Sequence, residues 1–292
     1  MTPAQAGARS PVHSYGTGLL RTTVRPCPEG GWLWDREPGP RAPRAFAGMP
    51  PALTGLIAGL GGNGPDRLVA GREEGAVRRY LVTGDESLAA RLLRDGPTAE
   101  AETALQGVGT LLARLHRLPP PAGVPSRRQA GLDRLAHWLS TEADGGPARE
   151  LLRTALGEER WDALSTWYSE TVADTRRVLS HGGPSLGAAV MGAAGVELLT
   201  GEDLCLTPWY ADLGWVAGEL VELAWQQGGD HTRWQALLTA LYAGYGRDLG
   251  ARWNRAAALR TALHLYDFST YVAWQPQQVR RYAGFLSFLI DL

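Results

Sequence analysis

The sequence predicts an α+β protein with two unequal lobes, a small β-rich N-terminal lobe (residues 1–90) and a large helical C-terminal lobe (residues 91–292). Two observations carry this prediction. Short alternating segments bounded by glycine or proline occur early in the chain, a pattern typical of strands. From Ala101 onward, apolar residues recur at three- and four-residue steps, which is typical of helices with one buried face.

In the N-terminal lobe and the segment after it, the patterns predict both strands and helices. The predicted strands are GLLRTTVRP, GGWLWDREP and AVRRYLVTG. A short apolar helix is predicted over residues 51–61, PALTGLIAGLG, and ends at a glycine. A second helix in DESLAARLLRDG is predicted to be capped by Asp85 and to stop at Gly96.

The rest of the chain is predicted to be mainly helical. The helix that contains Ala101 ends at HRLPPP, because proline cannot continue a helix. The proline-rich segment 119–125 is predicted to be a loop. Further helices are expected at 128–142, 148–157, 160–178, 211–227, 232–249, 253–272 and 276–291.

Composition excludes several classes of protein. The formal net charge of -1 provides no global field for nucleic acid or for a membrane surface. No apolar run approaches the ~20 residues of a membrane span, and the N-terminal segment lacks the apolar core of a secretion signal. Cys27 and Cys205 have no metal-ligand spacing, and we expect reduced thiols in a cytoplasmic protein. All 29 basic residues are arginine, so a step that needs lysine is excluded or must use arginine.

Five segments between residues 75 and 225 match the segments of a known superfamily, in the same order. They are RRYLVTGDESLAARLL, VGTLLARLHRLP, VLSHGGPSLGAAV, GVELLTGED and WYADLGWVAGELVEL. In this order they resemble five segments of the aminoglycoside phosphotransferase and choline kinase-like superfamily. Those segments are the hinge strand with its helix, the Leu-His-x-Leu-Pro helix, the catalytic loop, the strand before the metal-binding aspartate, and the downstream Asp-Leu helix. The resemblance implies a bilobed kinase-like fold.

The catalytic loop of this superfamily, His-Gly-Asp-x-x-x-x-Asn, supplies the general base and a Mg²⁺ ligand for phosphoryl transfer. The matching loop here, residues 179–188, retains His181 and Gly182. The base position falls on Gly183 and the asparagine position on Ala188. Loss of a general base typically lowers the rate by about 10²–10⁴. The resemblance therefore implies a degenerate branch, in which His181 braces the loop or, alternatively, takes part in catalysis.

The metal-loop region, residues 196–213, retains acidic side chains. The position of the metal-binding aspartate falls on Glu202 or Asp203, and either could ligate Mg²⁺ through carboxylate oxygens. The same two acids are the candidates for any remaining catalysis. Asp212 matches the downstream Asp-Leu, and the resemblance implies a structural role for it.

The lysine that holds the nucleotide phosphates in this superfamily has no counterpart here. Arg21, Arg25 and Arg36 are the candidates to replace it, and we predict that Arg21 and Arg25 bind the phosphates of the nucleotide cofactor. The helix that should carry the glutamate partner of the lysine, around 45–60, contains no acidic residue. YGTGLL, residues 15–20, is only a weak match to a glycine-rich nucleotide loop.

Three functions remain open. The chain resembles kinase-like components of ribosomally made peptide maturation, including class V lanthipeptides and thioamitides. That likeness implies a precursor peptide or a partner lyase as ligand, with unusual phosphorylation of Ser or Thr through Asp203 or Glu202. The alternatives are a small-molecule (antibiotic) phosphotransferase and an inactive pseudokinase that acts as a binding module.

The three functions differ in their cofactors and partners. An active kinase is expected to use Mg²⁺ with ATP or GTP, whereas a pure binding module needs no cofactor. For a peptide partner, the basic surface around Arg21 and Arg25 is the expected leader site, through β-augmentation or an arginine-lined groove. We expect neither nucleic acid nor a membrane as partner.

Overall fold

The computed structural model of the chain has the two-lobed α+β architecture that the sequence predicts. It describes residues 12–60, 64–120, 124, 128–140 and 146–292. The predicted loop at 119–125 and the end of the predicted helix 128–142 lie partly outside these residues. Within the described part, no helix is long and apolar enough to cross a membrane.

An antiparallel sheet forms the body of the N-terminal lobe. Its elements, with the helix and strand inserted between them, are β1 (His13–Gly16), β2 (Leu20–Pro26), β3 (Trp32–Pro38), α1 (Pro51–Leu60), β4 (Arg67–Ala70), β5 (Arg72–Glu74) and β6 (Val77–Val82). The strand order is β1-β2-β3-β6-β5. Thr22 and Val24 on β2, and Trp34 and Arg36 on β3, are buried, so alternate residues of these strands point into the lobe. The three predicted strands, which match β2, β3 and β6, are confirmed.

The C-terminal lobe contains the remaining elements. They are α2 (Leu88–Asp95), α3 (Ala99–His116), α4 (Ala130–Ser140), α5 (Gly146–Leu156), α6 (Glu158–Ala173), β7 (Arg177–Ser180), β8 (Ala189–Met191), β9 (Val196–Thr200), β10 (Cys205–Pro208), α7 (Trp209–Gln227), α8 (His231–Tyr245), α9 (Trp253–Tyr271) and α10 (Pro276–Asp291). β7 pairs with β10, and β9 lies between β8 and β4. Because β4 comes from the N-terminal lobe, this small sheet joins the two lobes.

Two apolar clusters form the core. The first contains buried residues of the N-terminal sheet, such as Val24 and Trp34, together with residues of α3, α7 and α8. The second lies among α4, α5, α6, α9 and α10. The first cluster therefore supports the catalytic loop from both lobes, while the second supports the helices beneath it.

Two predicted helix ends are wrong. The cap of α2 is Ser87 and not Asp85, because the Ser87 hydroxyl accepts a hydrogen bond from the backbone three residues further on, at 3.2 Å. The helix predicted over 232–249 ends at Tyr245, where Gly246 adopts the left-handed conformation.

The helix predicted over 160–178 is too long. It ends at Ala173, because Asp174 has an extended backbone and its carboxylate accepts the N–H of Arg176 at 2.9 Å. The residues that follow form β7, which leads directly into the catalytic loop. The segment just before the catalytic loop is therefore a strand and not the end of a helix.

Candidate functional site

Most of the predicted site residues lie around a cavity of about 590 Å³ between the two lobes. One wall comes from β2, β3 and the segment after β3. The other comes from the catalytic loop, the metal-loop region, α4, α7 and α9. Of the residues predicted from sequence, the cavity is lined by Arg36, His181, Gly182, Gly183, Glu202 and Asp203.

Asp212 holds the catalytic loop in shape. Its fully buried carboxylate, in the first turn of α7, accepts the backbone N–H of His181 at 2.6 Å and that of Gly182 at 3.1 Å. His116 Nε2 lies 3.1 Å from the same carboxylate, and the hydroxyl of Tyr245 lies 2.8 Å from His116 Nδ1. Burial opposes ionisation of Asp212, but its contacts with His116 and His181 keep its pKa below the ordinary value. These are the contacts of a residue that braces the loop.

The imidazole of His181 is buried beneath the cavity. Its Nε2 donates to the carbonyl of Leu199 at 2.8 Å, since a carbonyl oxygen can only accept. Its Nδ1 is buried and has no hydrogen-bond partner within the described part of the chain. Burial lowers the pKa of His181, so the ring is neutral near pH 7. A neutral ring in this position fixes the loop against β9 and retains one acceptor nitrogen.

The backbone at the base position is shaped for glycine. Gly182 has φ +89°, and a Cβ added there would lie 1.9 Å from the carbonyl oxygen of Asp203. Gly183 has φ +150°, and its Cβ would lie 3.6 Å from the ring of Trp215. Both values are strained for residues with a side chain. Ala188, at the asparagine position, is 1% exposed and belongs to the apolar core. The loop thus has a backbone that favours glycine at position 183 and a packed apolar environment at position 188.

Glu202 and Asp203 contact arginines of the N-terminal lobe. Arg36 Nη1 lies 2.9 Å from Glu202 Oε1, and the hydroxyl of Tyr80 donates to the same oxygen at 3.0 Å. Arg44 Nη2 lies 3.3 Å from Asp203 Oδ1. The side chains of Arg36 and Glu202 are only 8% and 15% exposed. Burial and the nearby Glu202 carboxylate raise the pKa of Tyr80 well above its ordinary value. Both predicted metal ligands therefore take part in ion pairs between the lobes.

The other arginines of the cavity are paired in the same way. Arg134 donates to both carboxylate oxygens of Asp267, at 2.7 and 2.8 Å. Arg260 Nη2 lies 2.6 Å from Glu219 Oε1. In total, four arginines and five carboxylates line the cavity, and each arginine lies within 3.3 Å of a carboxylate. Phosphate groups would have to compete with these carboxylates for every guanidinium.

The cleft segment, residues 39–47, connects the two walls of the cavity. Near its start, the N–H of Arg41 donates to the carbonyl of Gly18 in the turn between β1 and β2, at 2.8 Å. The N–H of Gly18 donates in turn to the carbonyl of Tyr271 in α9, also at 2.8 Å. The last residue of the segment donates to the carbonyl of Glu202 at 2.9 Å. The two walls of the cavity are therefore joined by backbone hydrogen bonds as well as by ion pairs.

The segment that resembles the hinge already accepts a hydrogen bond from a buried tryptophan of the N-terminal lobe. Trp34 on β3 is 1% exposed, and its Nε1 donates to the carbonyl of Gly84 at 3.0 Å. Residues 82–88, all of which the structure describes, are not among those that line the cavity. A nucleotide base that donated a hydrogen bond to this carbonyl would have to compete with the indole of Trp34.

Arg21 and Arg25 lie away from the cavity. Alternation along β2 points them away from the buried face of the sheet. Arg21 is 57% exposed and lies 3.8 Å from Glu37, whereas Arg25 donates to Asp35 at 2.9 Å. Of the three arginines suggested as replacements for lysine, Arg36 is the one that lines the cavity.

Sequence reasoning missed several residues of the cavity. They are Arg44, Asp133, Arg134, Trp215 and Glu219. The partners of these charged residues are remote in the chain, and Arg134 and Asp267 are separated by 133 positions. The helical periodicity of α4 and α7 gave the only signal, because it places Arg134 and Glu219 near apolar faces.

Comparison with solved structures finds the same architecture in known kinases. A choline/ethanolamine kinase family protein from Mesorhizobium loti has a TM-score of 0.51 and 15% identity, covering 98% of this chain and 88% of that chain. The complex of APH(2")-IIia with GDP and kanamycin has a TM-score of 0.53 and 12% identity, covering 98% and 94%. The aminoglycoside phosphotransferase APH(3'')-Id from Streptomyces rimosus has a TM-score of 0.50 and 15% identity, covering 87% and 92%.

The chain has the bilobed kinase-like fold. At these identities the likeness establishes the fold alone. No family profile matches the sequence, and no curated protein matches it. The expected fold class is therefore confirmed, while the activity has to be inferred from the site itself.

The side chains of the cleft are unsuited to bind the Mg²⁺–nucleotide that this fold implies. Glu202 and Asp203 are held by arginines, and Ala188 offers no ligand atom. Over the described residues, no group of three or more His, Cys, Asp or Glu side chains is placed to hold a metal ion. The residues present do not fit the ordinary metal and phosphate site in this arrangement.

Proposed function

We propose that the chain is a kinase-fold binding component of bacterial peptide natural-product maturation, of the lanthipeptide or thioamitide type. In this proposal it holds a precursor peptide or a partner lyase and does not perform ordinary phosphoryl transfer. One observation carries the loss of ordinary transfer: every arginine of the cavity is paired with a carboxylate. In the same cleft, the position of the general base is Gly183 and that of the metal-binding asparagine is Ala188.

The N-terminal sheet offers a surface for an extended peptide. All four residues of β1 are exposed, and no strand within the described part pairs with its outer edge. Such an edge can accept a further strand by β-augmentation. Arg21, opposite Gly16 in the neighbouring strand, is exposed and suits an acidic residue of a leader peptide. Arg25 is less suited, because Asp35 already holds its guanidinium.

Unusual phosphorylation of Ser or Thr remains a part of the proposal that depends on nucleotide binding. It requires Asp203 or Glu202 to leave its arginine and to face a bound nucleotide. Asp203 is the better candidate, because its side chain is 31% exposed, against 15% for Glu202. The small-molecule phosphotransferase interpretation has the same requirement.

A nucleotide titration separates these alternatives. A nucleotide at ten times its Kd would stabilise the folded chain by about 1.4 kcal/mol. For a domain of this size, that corresponds to a rise in Tm of about 3–5 °C. A binding module predicts no shift with millimolar Mg-ATP or Mg-GTP. A clear shift, followed by phosphate transfer that Asp203→Asn abolishes, would overturn the binding-only form of the proposal.

A peptide-binding assay tests the other part of the proposed function, the binding of a precursor peptide. Fluorescence anisotropy with labelled leader peptides encoded by neighbouring genes should show saturable binding, and Arg21→Glu should weaken it at least tenfold through charge reversal. Arg233→Glu is the matched control, because Arg233 is an exposed arginine of α8, distant from β1 in the sequence. Equal affinity of Arg21→Glu and the wild type would place the peptide elsewhere. Absence of binding by any such peptide or its lyase would refute the proposed function.

A further inference from the structure

A second cavity of about 520 Å³ lies in the C-terminal lobe, among α4, α6, α7 and α9. Trp215 and Arg260 line both cavities and form the wall between them. The volume is that of a pocket for a small molecule. His181, Gly183, Glu202 and Asp203, which line the first cavity, do not line the second.

The interior of the second cavity is apolar and aromatic. Trp167, Trp209 and Trp215 line it, together with five leucines from α4, α9 and the turn before α9. Trp209 is also stacked against Tyr245, with ring centroids 5.7 Å apart. Rigid aromatic walls of this kind bind flat or extended apolar groups through burial and ring contacts.

The mouth of the second cavity is basic. Five arginines and two carboxylates line the cavity, in contrast to the excess of carboxylates in the cleft. Arg247 lies over the ring of Trp209 at 4.1 Å, and Arg255 over that of Trp167 at 5.2 Å. Arg255 is paired with Glu170, but Arg247 and Arg252 are exposed and form no ion pair with any described carboxylate. Two cations therefore remain available to an anionic ligand.

Buried donors without partners provide an independent observation. Gln129 is 2% exposed and lines the second cavity, and its Nε2 has no hydrogen-bond partner within the described residues. Nε of Arg260, in the shared wall, is also buried and unpaired. A buried donor without a partner costs about 1–3 kcal/mol. Such donors are rare in folded proteins and call for an acceptor that binds there.

We propose that this second cavity binds a small organic anion with an apolar body. The aromatic walls bury the body, while Gln129 donates to an acceptor oxygen and Arg247 and Arg252 attract the charge at the mouth. A carboxylate attached to an aromatic or aliphatic group satisfies all of these features. The inference does not depend on the peptide or nucleotide chemistry of the cleft.

A matched pair of probes tests the charge requirement. We expect 4-phenylbutyrate to bind to the full chain in saturation-transfer NMR and calorimetry, and the uncharged 4-phenylbutyramide to bind about tenfold more weakly. The two compounds have the same shape, so the difference reports the anion. Equal affinities would overturn the charged part of the proposal, and absence of binding by both would overturn the site.

Variants then place the ligand. The double variant Arg247→Gln/Arg252→Gln should weaken the binding of 4-phenylbutyrate about tenfold and leave the affinity for the amide unchanged. The control Arg233→Gln should change neither affinity. Gln129→Leu should weaken the binding of 4-phenylbutyrate. It should also raise the midpoint of urea unfolding, because it removes a buried unpaired donor. Ala256→Phe, which fills the cavity, should abolish binding of both probes. Binding that survives both Gln129→Leu and the double arginine variant would refute this location.

Discussion

An aspartate introduced at the base position should not produce kinase activity. Gly183→Asp would place a side chain on a backbone with φ +150°, starting 3.6 Å from the ring of Trp215. A residue with a side chain in this region of backbone space costs about 1–3 kcal/mol. We therefore expect the variant to lose about that much unfolding free energy and to gain no ATP-dependent phosphate transfer.

The assay combines urea unfolding with a radiolabelled phosphate-transfer measurement. Gly187→Asp is the matched control, because Gly187 lies in the same loop, has no positive φ, and its added Cβ would meet only the Ser185 hydroxyl at 3.7 Å. We expect this control to stay within about 0.5 kcal/mol of the parent chain. The reasoning is refuted if the two variants are equally stable, or if Gly183→Asp transfers phosphate.

Three other predictions use the same unfolding measurement. Arg36→Ala removes the ion-pair partner of Glu202, a carboxylate that is only 15% exposed and keeps the Tyr80 hydroxyl as donor, and should cost about 3 kcal/mol. Arg21→Ala, on the surface, should cost under about 1 kcal/mol, and similar losses in the two variants would contradict the ion-pair argument. Trp34→Ala should cost about 3–5 kcal/mol through its cavity and its lost hydrogen bond, and a loss below about 1 kcal/mol would contradict its core position. Below about pH 6.5, the unfolded chain binds a proton at His181 that the folded chain resists, because burial lowers the folded pKa. As pH falls below about 6.5, His181 should therefore lower the unfolding free energy by at most about 1.4 kcal/mol per pH unit. His181→Gln should remove this share of the slope, while the share of His264, whose pKa burial lowers to about 4, remains.

The fold was predictable where local patterns decide it. β2, β3 and β6 alternate between buried and less buried residues, and α3 has apolar residues at helical spacing. The short strands β1, β4 and β5 were not predicted. β4 has only four residues and pairs with β9, which lies far along the chain. Such a strand is defined by its distant partner, so its own sequence carries little signal.

The candidate site was predictable in part for the same reason. The order of local segments placed the loop around His181 and the acids Glu202 and Asp203 in one region. The arginines that occupy those acids could not be assigned, since Arg44 and Asp203 are 159 positions apart. Which remote charged residues pair depends on tertiary geometry, and no local pattern in a single sequence shows it.

The backbone hydrogen bonds of the cleft segment also set how often the cleft can admit a guest. Gly18 and the segment's last residue donate to carbonyls across the cleft, so both bonds must break before the walls part. The same opening would expose these amides to solvent, and their hydrogen–deuterium exchange would report its frequency. A ligand too large for the present cavity would therefore bind only after the walls part, and its association as well as its dissociation would be slow.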